Sequence, residues 1–208
     1  FVSSWQLFIV GVSGALAAAE FTPARLVSGA APMPPPNVIG WGWVVADVTV
    51  DAKGRHAAFG VAYDTPPYAE LLWKSVIKWS FEPANDGQQP VQSHVLVVGC
   101  YRPAALLTGP DSRPPSVAAQ PNVPTPVTMV PPAYPPNALG DGAAIVEVRV
   151  DTSGAVTQAR MVRSAPGFDR AALDAARQWR FRAAHRAGVA VPAYVYLIFG
   201  FRQPVAGS

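Results

Sequence analysis

The chain has 208 residues, of which half are apolar and 14% are charged, and its net charge is +3. This composition supplies ample material for a core, and the absence of a long Lys/Arg run argues against nucleic-acid binding. The single cysteine, Cys100, excludes an intrachain disulfide. Its valine-rich neighbourhood predicts a strand with a buried, unreactive thiol.

The N-terminal apolar run, Trp5 to Ala19, predicts export from the cytoplasm. The run is about 15 residues long, whereas a bilayer-spanning helix needs about 20. It ends in Ala17-Ala18-Ala19, a small-residue cleavage pattern. We interpret residues 1–19 as a signal peptide, with an uncleaved inner-membrane anchor as the first alternative and a core helix as the second.

The first unit is predicted over residues 35–103, after a short proline-containing lead-in at 20–34. Strands at 43–51 and 54–63 meet at a tight turn, Asp51 to Gly54, in which Asp starts the turn and Gly permits a positive φ. A helix follows to about Trp79, with Thr65 as its cap and Pro66 in its first position. A loop at 82–90 leads to a third strand at 91–102.

The second unit is predicted over residues 125–208 and follows a proline-rich linker at 104–124. Strands at 143–151 and 155–163 flank the turn Asp151 to Gly154, and a helix is predicted at 167–180. A loop at 181–192 leads to the last strand at 193–202. The order of elements is therefore the same as in the first unit, strand, strand, helix, strand.

The two helices carry the same apolar stripe. The second has it at Phe168, Ala172, Leu173, Ala176 and Trp179, and the first at Tyr68, Leu72, Trp73, Val76 and Trp79. Each stripe must cover one face of a small sheet. The sequence therefore predicts an α+β fold of two tandem small units, each a three-stranded antiparallel sheet covered by one helix. Whether the two sheets stack, pair edge to edge or swap strands stays open.

The residues predict no catalytic, cofactor or metal site. His56, His94 and His185 lack the spacing of metal ligands. Asp51 and Asp151 occupy equivalent turns, which favours a structural role over a catalytic pair. Trp79 and Trp179 end core stripes, so we expect them to be buried rather than to stack on a ligand. Trp41 is the tryptophan best placed for an exposed contact.

Several spaced motifs of the second unit resemble one known family. They are Pro132-Ala133-Tyr134-Pro135-Pro136-Asn137-Ala138, Gly142, Val150-Asp151, Gly154, Leu173-Asp174-Ala175-Ala176 and Trp179-Arg180-Phe181, followed by the loop 184–188 and Pro192. In this order they are similar to the C-terminal domain of TonB energy transducers, over residues 131–204. The first unit keeps Val50-Asp51, Gly54, Trp79-Ser80-Phe81 and Gly87 and resembles a diverged second copy.

The resemblance implies a periplasmic domain that contacts outer-membrane transporters, whose short peptide adds as a strand to the edge of the three-stranded sheet. An exposed edge offers unpaired backbone groups that bind such a strand. The last strand is the predicted contact. The partner-binding residues are Tyr194, Tyr196, Ile198, Phe199 and Phe201. Peptide strands of other envelope proteins and self-association are further uses of such an edge.

Two functions are compatible with this sequence. In the first, the protein is a TonB-like energy transducer, anchored in the inner membrane, that links motor proteins to an outer-membrane transporter. In the second, it is a secreted periplasmic interaction module with the same fold and no motor. Retention or removal of residues 1–19 distinguishes the two.

Overall fold

Six long strands form one continuous sheet, in the order Val156–Arg163, Gly142–Val150, Ala193–Phe201, Ser93–Tyr101, Gly42–Val50, His56–Asp64. The structure is a computed structural model that describes residues 21–33, 41–102 and 114–203. The long elements are β2 (Gly42–Val50), β3 (His56–Asp64), α1 (Tyr68–Val76), β7 (Ser93–Tyr101), β9 (Gly142–Val150), β10 (Val156–Arg163), α2 (Asp169–Ala176) and β14 (Ala193–Phe201). The short strands are β1 (Arg25–Ser28), β4 (Ser80–Glu82), β5 (Ala84–Asn85), β6 (Pro90–Val91), β8 (Thr125–Thr128), β11 (Arg180–Arg182), β12 (Ala184–Arg186) and β13 (Val189–Val191). The predicted signal peptide or anchor lies outside the described residues, as does linker segment 104–113.

The mixed α+β class is confirmed, but two separate three-stranded sheets are not. Each half contributes three antiparallel strands, β3-β2-β7 and β10-β9-β14. The third strands of the two halves then pair in parallel, from Val195 beside Leu96 to Gly200 beside Tyr101. Of the arrangements left open by the sequence, edge-to-edge pairing is the one observed.

The two helices lie on opposite faces of the sheet, and this follows from the parallel pairing of β7 and β14. Two similar halves joined by parallel strands are related by a two-fold rotation about the strand direction, which exchanges the faces. Successive side chains of β2 therefore point alternately to the face covered by α1 and to the face covered by α2. Val44 and Ala46 pack in the cluster with Leu72 of α1, whereas Trp43 and Val45 pack in the cluster with Ala172 of α2. We call these the α1 face and the α2 face.

Both cores contain side chains from both halves. On the α1 face, Ile145, Tyr196 and Ile198 of the second half join the core of the first. On the α2 face, Leu96 and Val98 of the first half join the core of the second. The hydrophobic effect therefore holds the halves together as one folding unit.

Each helix is shorter than the sequence predicts. α1 ends at Val76 and α2 at Ala176, and Trp79 and Trp179 follow in a turn before short strands β4 and β11. The predicted cap at Thr65 is wrong, because its hydroxyl oxygen accepts a hydrogen bond from the Trp43 N–H (3.3 Å) and α1 begins after Pro67. No helix in the described segments is long and apolar enough to span a bilayer.

The lead-in and the start of the second unit also contain sheet-forming segments that sequence analysis did not predict. β1 in the lead-in pairs with β4, and β8 pairs with β11. These two-stranded pairs extend the cover of each face beyond its helix. The position of β1 places Arg25 and Leu26 against the second half of the chain.

Candidate functional site

The predicted binding strand, β14, lies in the middle of the sheet. It pairs with β9 from Ala193 to Phe201 on one side and with β7 from Val195 to Gly200 on the other. The prediction that this strand is an open edge is therefore wrong. The reason is that β7 is an equally long apolar strand of the same chain, and pairing with it satisfies the backbone groups that would otherwise be exposed.

The five predicted partner-binding side chains contribute to the interior rather than to a common surface. Tyr196, Ile198, Phe199 and Phe201 are all fully buried. Phe199 lies against Trp179, with ring centroids 6.3 Å apart, and Phe201 stacks on Phe168 at 4.5 Å. Tyr194 is half-buried beneath the Arg25 guanidinium, 5.3 Å from its ring centroid. Binding of a partner at these residues is untested and requires β14 to separate from β7.

A buried carboxylate joins the lead-in to the second half. Glu147 is 3% exposed and lies on β9. Arg25 donates two hydrogen bonds to its carboxylate, from Nε to Oε2 (3.2 Å) and from Nη2 to Oε1 (3.0 Å). Arg160 donates to Oε1 from Nε (3.2 Å) and from Nη2 (3.1 Å). The carboxylate is thus fully satisfied, as a buried charge must be.

Tyr196 completes this cluster. Its hydroxyl donates to Glu147 Oε2 (3.0 Å) and accepts from the Leu26 N–H (2.6 Å). Burial, and then the adjacent carboxylate, raise the pKa of Tyr196 well above its usual range, and the hydrogen bond to Glu147 raises the pKa of Arg25. The phenol is therefore neutral and the guanidinium charged at physiological pH. This arrangement fixes β1 in place, which is a structural role.

The equivalent position in the first half, 100 residues earlier, carries a different pair. Asp47 accepts hydrogen bonds from His94 Nδ1 at 3.0 Å (Oδ1) and 2.9 Å (Oδ2). The hydrogen bond to Asp47 raises the pKa of His94, against the opposing effect of partial burial. The pair lies on the α2 face, since Asp47 is in register with Leu96 of that core.

The remaining candidate residues are structural. Asp151 Oδ1 accepts hydrogen bonds from the N–H groups of Ser153 and Ala155 (2.8 and 3.0 Å) within its turn, and Asp51 does the same in the equivalent turn.

Cys100 is buried, and burial raises the pKa of its thiol. The described segments hold no group of three or more potential metal ligands. Trp41 packs on the α2-face core beneath Arg102, 5.7 Å from the Trp41 ring centroid.

An open groove of about 550 Å³ lies between residues 130–136 and α2. One wall is formed by prolines and Tyr134, and the other by α2 residues that include Arg170 and Asp174. Arg170 Nε lies 3.8 Å from Asp174 Oδ2, and Arg177 Nη1 donates a hydrogen bond to Asp174 Oδ1 (2.9 Å). The groove is lined mainly by apolar residues, and its polar groups are Arg170, Asp174 and Gln178.

The outer strands, β3 and β10, form the lateral edges of the six-stranded sheet. In the described structure neither pairs with a strand on its outer side, so both present backbone groups to solvent. Each contains two irregularities in its pairing with the adjacent strand, which leaves regular stretches at 58–61 in β3 and 158–161 in β10. These two edges are where the fold can accept another strand.

Comparison with known proteins finds one similarity, in the second half of the chain. Residues 130–202 match the family model of the Gram-negative bacterial TonB protein C-terminal domain, which confirms the resemblance of this unit. The match covers β9, β10, α2 and β14. No curated protein matches the chain significantly. Residues 130–202 are thus similar to a TonB C-terminal domain, and proteins of that family are envelope proteins that contact outer-membrane transporters.

Proposed function

We propose that this protein contacts outer-membrane transporters by adding an extended segment of the partner to the outer edge of β10. The proposal rests on the TonB-type match of residues 130–202 together with the position of β14. Strand addition needs an open edge. Because β7 closes the β14 edge, β10 is the open edge of the matching half.

The side chains of β10 indicate what kind of segment fits. Gln158 and Arg163 are exposed, and Arg160 is 43% exposed while it binds Glu147. Exposed Arg149 of β9 is in register with Gln158. An extended segment that carries Asp or Glu would place its carboxylates opposite Arg160 and Arg163 of β10, where cross-strand pairs of opposite charge are favourable, with Arg149 one strand further in. We therefore expect an acidic partner segment.

The test is site-specific photo-crosslinking in cells of the bacterium that makes the protein. A photoreactive residue at Gln158, on the β10 edge, is expected to crosslink to an outer-membrane transporter. The matched control is Ala58, the equivalent exposed residue of β3. Crosslinks to transporters from position 58 and none from position 158 would reject the assignment of the partner to β10.

For the wider role, we infer energy transduction from the family match, with an uncoupled periplasmic interaction module as the alternative. Transduction requires the chain to stay attached to the inner membrane and to engage motor proteins there. The intact mass of the protein recovered from each envelope fraction decides between the two. A mature chain that begins at Glu20 in the soluble fraction excludes transduction by this chain, whereas an uncleaved chain in the inner-membrane fraction supports it.

A further inference from the structure

The two outer edges of the sheet have diverged in charge. Residues 57–63 of β3 include no charged side chain, whereas the equivalent part of β10 contains Arg160 and Arg163. Charged residues on an edge strand hinder pairing with another chain, and their absence leaves an edge open to it. The β3 edge is therefore the less protected of the two.

An exposed apolar surface accompanies the uncharged edge. On the α1 face, Val61 of β3 is 48% exposed and Trp73 of α1 is 37% exposed, and on the α2 face Tyr63 of β3 is 36% exposed. Trp73 packs on Phe59, with ring centroids 5.2 Å apart. Three of the four equivalent residues of the second half are less apolar or smaller, namely Ala159 for Phe59, Arg163 for Tyr63 and Leu173 for Trp73, whereas Met161 stands in the place of Val61 and is half-buried. The apolar rim is thus specific to the β3 edge, and such rims mark interaction sites.

Gly60 lies at the centre of this edge, and no contact within the chain requires a glycine at this position. A Cβ on Gly60 would approach only the Asp47 carbonyl oxygen, at 3.9 Å, which is an ordinary contact. Its φ lies outside the range that favours glycine. Glycine inside a strand often marks the close approach of another backbone. Here that approach would come from the outer side, since the inner side is occupied by β2.

The strand is complementary to itself. If β3 pairs in antiparallel orientation with β3 of a second copy about Gly60, Phe59 lies opposite Val61 within the regular stretch 58–61. Beyond the irregularities that flank this stretch, His56 comes opposite Asp64 at each end, where Asp64 Oδ1 also accepts a hydrogen bond from the Ala69 N–H (2.8 Å). His56 and Asp64 point to the same face of the sheet, because they are in register with Val50 and Val44, both in the α1-face core. The same register at β10 would centre on Arg160 and place two guanidinium groups opposite each other.

We propose that two copies of this chain dimerise through β3, centred on Gly60, to form a twelve-stranded sheet. Two-fold symmetry makes such a contact closed, so it ends at a dimer. The partner-binding edge at β10 stays open at both ends of the assembly. This proposal is independent of the proposed function, since it concerns a different edge and a different partner.

The test measures the mass of the purified full-length chain by sedimentation over a concentration series. The wild-type chain is expected to reach the mass of a dimer. Ala58→Lys is expected to weaken the dimer by about tenfold in dissociation constant, because symmetry introduces the charge twice at the contact. The matched control, Gln158→Lys, adds the same charge at the equivalent exposed position of β10 and should leave the dissociation constant unchanged. A monomeric wild-type chain, or a dimer weakened by Gln158→Lys alone, overturns the proposal.

Disulfide trapping tests the register. Gly60→Cys is expected to form an intermolecular disulfide under mild oxidation, because the two substituted residues lie opposite each other at the symmetry axis. The wild-type chain, whose Cys100 is buried, and Gln158→Cys serve as controls that should not be trapped. Trapping of Gln158→Cys in preference to Gly60→Cys contradicts the assigned edge. Capture of a different envelope protein at position 60, with no homodimer, assigns the edge to that partner and also overturns the proposal.

Discussion

Trp179→Ala tests whether the two halves unfold as one unit. Trp179 is fully buried, and its indole N–H donates to the Val130 carbonyl oxygen (2.9 Å). Its ring lies 6.3 Å from Trp43 of the first half and 5.9 Å from Phe181. Removing a buried tryptophan costs about 3 to 5 kcal/mol, because the lost burial and the cavity both contribute. For a chain of this size, that corresponds to a fall in Tm of about 10 °C.

The assay is equilibrium unfolding in urea, followed by circular dichroism and by tryptophan fluorescence. Because both cores contain residues of both halves, we expect one transition that is displaced as a whole, with the same midpoint for both probes. Trp73→Ala is the control, since Trp73 is 37% exposed and should cost only about 1 to 2 kcal/mol. Two separate transitions, of which Trp179→Ala displaces one, would refute the claim that the sheet unites the halves.

Two further predictions concern the charged pairs of the sheet. Glu147→Ala should destabilise the fold by about 2 to 3 kcal/mol, because Arg25 and Arg160 are partly exposed and regain water, whereas the buried Tyr196 hydroxyl loses its acceptor. Hydrogen exchange at the Leu26 amide should rise in this variant, and unchanged protection would contradict the anchoring of β1. The raised pKa of His94 means that the folded state binds its proton more tightly than the unfolded chain does. Its contribution to stability is therefore complete below about pH 6.5 and is lost as the pH rises through the raised value. His94→Asn should remove this part of the pH dependence of the urea midpoint, and a profile identical to wild type would disprove the linkage.

The local structure followed from the sequence because it depends on neighbours along the chain. The hairpin turns at Gly54 and Gly154, where φ is +76° and +86°, were marked by Asp-x-x-Gly. The alternation and valine content marked the long strands, and the helical spacing of Phe168 and Ala172 marked the buried face of α2. The helices end before Trp79 and Trp179, whose indoles still pack in the cores with the helical stripes and donate hydrogen bonds to the carbonyl oxygens of Ala30 and Val130.

The position of the binding edge did not follow from the sequence. The sequence of β14 predicts an apolar strand whether or not β7 pairs with it. Strands pair through backbone groups, so the identity of the side chains says little about which strand lies alongside. One feature of the sequence does indicate a central position: β7 and β14 are both apolar on both faces, as is typical of strands that are covered on both sides. The sequence around Glu147 does not predict its buried ion pair with Arg25, because Arg25 lies 122 residues away along the chain.

Local pattern and spacing were enough to predict the long strands, the two helices, their order and the resemblance of residues 130–202 to the TonB C-terminal domain. The folded structure was needed to show that the halves share one sheet, that α1 and α2 cover opposite faces, and that β3 and β10 are its outermost strands. These features depend on which of several chemically similar strands meet in space. The decisive contribution is the pairing of β7 with β14, which satisfies the backbone groups of two apolar strands at once and leaves β3 and β10 as the outermost strands of the sheet.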